Sequence, residues 1–127
     1  MPKTVKDYLA EANATVEKLD IAAARDRIDE GALVLDVRDA NEVREAGRIP
    51  GAKNVSRGML EFRADPASPY HDPDFAPDRT ILLYCASGGR SALAGKVLQD
   101  MGYREVYNIG GFKDWQSAGG AVEPAPE

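Results

Sequence analysis

The chain's only cysteine closes an apolar run, Thr80-Ile81-Leu82-Leu83-Tyr84-Cys85, and a polar loop with two glycines follows it, Ala86-Ser87-Gly88-Gly89-Arg90-Ser91. Beyond the loop, Leu93, Val97, Leu98 and Met101 fall at helical spacing. This pattern predicts strand, loop and helix, with Cys85 at the carboxyl end of the strand and a helix N-terminus opening behind it. Open α/β sheets place their ligand sites at such junctions.

A thiolate, not a thiol, is the nucleophile, so a reactive cysteine needs a local positive field. The loop supplies the means. Gly88 and Gly89 tolerate the positive φ angles that let successive N–H groups, from Ala86 to Ser91, converge in a concave nest. The helix N-terminus adds its unpaired N–H groups and dipole, and Arg90 adds a full charge. Ser91 is a donor to the thiolate or a cap for the helix, and the cap is the preferred reading. A lone cysteine at a strand end is most often inert packing, but packing does not require Gly-Gly-Arg-Ser immediately after it.

Cys85-Ala86-Ser87-Gly88-Gly89-Arg90-Ser91 resembles the active-site loop of the rhodanese-like sulfurtransferases, commonly C-x-x-G-x-R-S. Upstream, Asp36-Val37-Arg38, Glu42, Gly47-Arg48-Ile49-Pro50-Gly51-Ala52 and Asn54 are similar to that family's D-V-R…E…G-H-I-P-G-A…N stretch, with Arg48 where the family often has histidine. Downstream, Asn108-Ile109-Gly110-Gly111-Phe112 with Trp115 resembles its closing glycine pair and aromatic. The resemblance implies an α/β fold with an open, mostly parallel sheet flanked by helices, and sulfur transfer without a cofactor. It implies that the Cys85 thiolate takes the outer sulfur of a small anionic donor such as thiosulfate, while the loop N–H groups and Arg90 steady the anion. The resulting persulfide would pass its sulfur to cyanide or to a thiol acceptor, small molecule or protein. It also gives Asp36 and Arg38 bracing roles at the active-site face.

Two other classes of function compete. Cysteine phosphatases also set a cysteine loop on a helix N-terminus, but with C-x5-R, whereas four residues separate Cys85 from Arg90. A non-catalytic binding or redox-sensing module has no need of the intact Cys, Gly and Arg pattern. A P-loop does not fit, because five residues separate Gly89 from Gly95-Lys96 and Val97 stands where Ser or Thr would hold magnesium.

The remaining sequence bounds the partners. A net charge of −5 disfavours a nucleic-acid backbone. One cysteine makes no intramolecular disulfide, and one histidine gives no Cys/His cluster for a metal. The segment Met1 to Leu9 carries charge where a signal peptide is apolar, and no stretch is long and apolar enough to span a bilayer, so no membrane partner and a cytoplasmic location are expected.

Three regions are expected: an N-terminal helical extension over 1–14, the α/β domain over 15–118, and a frayed tail over 119–127. Val5, Tyr8, Leu9 and Ala12 are spaced for a helix packing as an edge cover on the sheet. A short strand near 15–19 precedes a helix over 21–29 capped by Asp20 and ended by Gly31. The run 32–37 reads as a strand covered on both faces. Asp36 interrupts it, so its carboxylate takes loop N–H groups or an arginine as partners. A helical turn over 41–45, a short strand at 53–55 and helical turns over 57–62 follow, the last with Met59, Leu60 and Phe62 partly buried. Arg57 is either a greeter of anions at the pocket mouth or a solvated surface arginine. The proline-rich segment 64–79 is a surface excursion or lid, and its His71 reads as a surface residue. A last strand over 105–108 leads through Gly110-Gly111 into a helix with core aromatics Phe112 and Trp115.

Overall fold

The computed structural model describes residues 1–126. Its sheet has five parallel strands in the order β1-β5-β4-β2-β3: β1 (Glu17–Lys18), β2 (Leu33–Asp36), β3 (Lys53–Asn54), β4 (Thr80–Cys85) and β5 (Glu105–Gly111). The helices are α1 (Val5–Thr15), α2 (Ile21–Asp29), α3 (Ala40–Ala46), α4 (Leu60–Ala64), α5 (Gly89–Asp100) and α6 (Phe112–Ser117), with a 3₁₀ turn at Arg57–Met59. A parallel sheet needs both faces covered, and its inner strands are therefore apolar throughout. β2 and β4 follow this rule apart from buried Asp36 at the end of β2 and Thr80 at the start of β4. Leu33, Leu35, Ile81, Leu83 and Cys85 pack with Leu60, Ala94 and Leu98 on one face. Val34, Leu82 and Tyr84 pack with Ala24, Phe112 and Trp115 on the other. Among the described residues, no helix is long and apolar enough to cross a membrane.

β4 lies at the centre, and its register with β5 shifts between Leu83 and Tyr84: Leu83 pairs with Asn108, and Tyr84 with Gly110. The extra residue, Ile109, makes a bulge that turns the end of β5 toward the cysteine loop. Asn108 stabilises this bulge itself, since its Oδ1 accepts the N–H of Gly110 at 2.9 Å.

Several expectations change at the periphery. α1 packs on α5 rather than covering a sheet edge, and only Ala12 of its apolar stripe is fully buried, whereas Val5 and Tyr8 are exposed. The cause lies in α5, whose buried residues are mostly small: Ser91, Ala92, Ala94, Gly95 and Leu98. Small residues let α5 approach the sheet closely, so Leu93 and Val97 turn to the groove shared with α1. Phe62 is also exposed, with its ring edge-on to Tyr70. The 64–79 segment is pinned by buried Phe75, stacked edge-on against Tyr103, and by Lys53 paired with Asp72 and Asp74. His71 is half-buried rather than on the surface, and its Nε2 has no hydrogen-bond partner among the described residues.

The tail, expected to fray, meets the domain at Ala121 and Glu123. Glu123 forms an antiparallel bridge with Arg48, its carboxylate pairs with the Arg48 guanidinium at 2.8 Å and accepts the Gly51 N–H at 3.0 Å. Trp115 donates its indole N–H to the Ala121 carbonyl at 2.7 Å. Arg48, which departs from the family's histidine, thus joins Trp115 in holding the tail.

Candidate active site

The carboxyl end of β4 delivers Cys85 to the foot of a tight loop. The residue is 1% exposed, and its Sγ accepts the Gly88 N–H at 3.0 Å, with the Ser91 hydroxyl 3.5 Å away. Burial pushes the thiol up, but the Ser91 hydroxyl and the N–H groups of Ser91, Gly88 and Ser87 outweigh it, and the thiol ends below its ordinary value. Two glycines make this loop. Gly88 caps α5 at φ 102°, a left-handed geometry that L side chains resist. A Cβ on Gly111 would lie 2.5 Å from the Ala86 carbonyl oxygen, so the loop backbone rests directly on β5.

Ser91 is not the helix cap, because Gly88 holds that position and no side chain caps it. Its buried hydroxyl instead lies 2.8 Å from Asn108 Oδ1, 3.1 Å from the Gly88 carbonyl and 3.5 Å from Sγ. With one proton to donate, the hydroxyl serves the nearest acceptor, Asn108, or turns to the sulfur when that becomes a thiolate. The Asn108 amide has a single orientation, because its Nδ2 donates to the Gly88 carbonyl at 3.1 Å while its Oδ1 accepts from Gly110 and Ser91. Asn108 therefore ties β5 to the loop. The sequence reading passed over it as a strand residue; the signal was a polar side chain two residues before a glycine at a strand end, where it accepts its own chain's i+2 N–H.

Arg90 meets Glu42 fork to fork, with Nη1 at 2.8 Å from Oε2 and Nη2 at 2.9 Å from Oε1. The Arg90 hydrogen bonds draw the Glu42 carboxyl down to about 2, with a smaller contribution from the Asp39 N–H. That N–H contact, at 2.9 Å, is also half of the capping box that starts α3. From sequence, Arg90 adds a full positive charge to the loop. Here its charge is offset by a carboxylate 48 residues earlier in the chain.

Asp36 and Arg38 form a buried pair at 2.6 Å, and Asp36 also accepts the Arg38 N–H at 3.0 Å, so both partner types expected for this carboxylate are present. Arg38 donates further to the Gly47 carbonyl at 2.8 Å, and its guanidinium lies 4.4 Å from the Phe112 ring centroid. The pair sits beside the loop, since Arg38, Glu42, Glu45, Ala86, Phe112 and Lys113 line a cleft of about 230 Å³. Arg57 does not line that cleft: it pairs with Glu61 at 2.8 Å and lines the groove between α1 and α5.

Comparisons with known proteins bear on the family and the fold. The solved structure of RPA3614 from Rhodopseudomonas palustris CGA009, described as a protein of unknown function and "Possible Tyrosine Phosphatase", is 45% identical, with a TM-score of 0.88 over 97% of this chain and 99% of that one. The thiosulfate sulfurtransferase GlpE of Pseudoalteromonas translucida is 31% identical over 79% of this chain and 89% of its own length. The chain is 27% identical to the "Putative sulfur carrier protein YrkF" of Bacillus subtilis over 86% of its residues, but spans only 56% of that protein. The family model for the rhodanese-like domain matches residues 20–118, and the chain belongs to the rhodanese-like domain family.

Proposed function

We propose that the protein is a sulfurtransferase that carries a sulfane sulfur on Cys85. The observation that carries this reading is the ring of donors around Sγ, in which backbone N–H groups and the Ser91 hydroxyl favour the thiolate over the thiol. The thiolate attacks the outer sulfur of a donor such as thiosulfate; a new S–S bond forms to Cys85, the donor's S–S bond breaks, and its electron pair leaves with sulfite. The same ring then steadies the terminal sulfur of the persulfide. Cyanide or a thiol attacks that sulfur and returns Cys85 as the thiolate. Asp36 and Arg38 hold the wall of the cleft, while Asn108 and Gly111 hold the loop. Arg57, paired with Glu61 in the α1–α5 groove, has no part in this scheme.

A cysteine phosphatase is the second reading, carried by the description given to RPA3614. The four-residue spacing from Cys85 to Arg90 argues against it, since a ring one residue shorter than C-x5-R crowds a tetrahedral phosphoryl group. Intact-protein mass after incubation with thiosulfate or an organic persulfide tests the choice. Addition of one sulfur atom, removed by cyanide or a thiol, is expected. Turnover of an aryl phosphate with no sulfur added from any donor would overturn the proposal.

A further inference from the structure

The Arg90–Glu42 clamp bears on the charge that a sulfur donor meets at the loop. Of Arg90 and the two cations that line the cleft beside the loop, Arg38 and exposed Lys113, only Lys113 has no ion pair among the described residues. The Arg38 charge is tied to buried Asp36, and that of Arg90 to Glu42, with Asp39 also acting on Arg90. Lys113 faces a cleft that it shares with Glu45, a carboxylate with no ion pair among the described residues. To this nearly balanced set, a reactive Cys85 adds the negative charge of its thiolate. A dianion brought to Sγ therefore meets a like charge while the guanidiniums of Arg38 and Arg90 are already paired, whereas the N–H ring, made of dipoles, serves a sulfur atom of any donor.

We infer that Glu42, by clamping Arg90, makes this site select sulfur donors of low charge, monoanionic thiosulfonates and organic persulfides, over the thiosulfate dianion. The inference rests on the sulfurtransferase reading and names its substrate class. With a thiosulfonate, the thiolate forms its S–S bond to the sulfane sulfur, the bond from that sulfur to the sulfonyl group breaks, and the pair leaves on a sulfinate. Charge and electrons balance with no added oxidant. The total negative charge gathered at the loop is one less than with thiosulfate. Glu42 is a positioning residue in this account, because it touches Arg90 rather than the donor.

The test compares kcat/KM for thiosulfate and for methanethiosulfonate, with cyanide as the common acceptor, in the wild type, E42Q and E45Q. The two donors differ in intrinsic reactivity, so the informative quantity is how their ratio moves between proteins. E42Q keeps an acceptor for the Asp39 N–H and releases the Arg90 charge. It should shift the ratio toward thiosulfate by about fivefold, the size of one partly screened charge. E45Q leaves the clamp in place and should shift it the same way by less. Salt reads the same field without a mutation: raising ionic strength from about 0.01 M to about 1 M shortens the Debye length about tenfold and should move the wild-type ratio toward thiosulfate. A ratio that stays within twofold in E42Q, or that fails to move with salt should E42Q not fold, overturns the inference while leaving sulfur transfer intact. If neither donor loads sulfur onto wild-type Cys85, the sulfurtransferase reading itself falls.

Discussion

At Cys85 and Ser91, chemistry depends on single atoms. Cys85→Ser keeps the volume and a hydrogen-bonding atom, so the fold should survive while sulfur transfer is lost, because a serine oxygen is a poor nucleophile toward sulfur and cannot hold a persulfide. Far-UV circular dichroism and intact mass after donor treatment check both halves. Ser91→Ala removes one of the donors that offset the burial of the thiol. The pH midpoint of Cys85 alkylation should rise; an unmoved midpoint would show that the N–H groups alone hold the thiol down. Asn108→Asp puts a carboxylate oxygen against the Gly88 carbonyl, where the amide now donates. An unsatisfied buried acceptor pair costs about 1–3 kcal/mol, readable as a lower denaturation midpoint. Neither Asn108 nor Glu42 was assigned a role from sequence, and the reason is physical. Each acts on a group that the fold brings near, 20 residues away for Asn108 and 48 for Glu42. Cys85 and its glycines were legible because the strand, the loop and the helix that define them are contiguous.

Among the elements, the strand–loop–helix unit β4–α5 was readable from one apolar run and one change of period, and α2 from its Asp20 cap, which accepts the Ala23 N–H at 2.8 Å. The placement of α1 was not, because Val5, Tyr8, Leu9 and Ala12 fix a helix face without saying which element meets it. Only the small residues of α5 decide that, and a helix period read on Leu93 and Val97 points to the wrong side. The meeting of β5 with the loop is the sharpest test of how elements position the site. In Gly111→Ala the new methyl would contact the Ala86 backbone, which cannot move without moving Cys85. A loss of about 1–3 kcal/mol or more is expected from overpacking, together with slower alkylation of the thiol. α3 gives a pH signature. Glu42 is held near 2, below its ordinary 4.5, so its contribution to stability is complete above about 4.5 and is lost as the pH falls toward 2. The pair is more than a third exposed, so screening limits this to below about 1 kcal/mol. Urea unfolding of wild type and E42Q should differ at pH 6 and converge only as the pH approaches 2; a constant difference would show that the charge is not the source.

For the whole molecule, the α/β class and parallel sheet followed from alternating short strands and helices, while the tail's attachment did not follow from its small, acidic composition. It depends on Arg48 and Trp115, distant in sequence, presenting partners to neighbouring tail residues. Deleting residues 121–127 would leave the buried Trp115 indole N–H without its acceptor and should lower stability by about 1–3 kcal/mol, measured by denaturant midpoint. Alkylation of Cys85 in the native state should be unchanged, since among the described residues the tail makes no hydrogen bond to the loop. The central place of β4 has a consequence for timing. Hydrogen-bonded on both sides, by β2 and by β5, it should release its amide protons to solvent last, after α1 and the edge strands β1 and β3 have exchanged. The strand that carries the nucleophile is then the last to open, and a chain warmed until its outer elements flicker would still present an ordered cysteine loop.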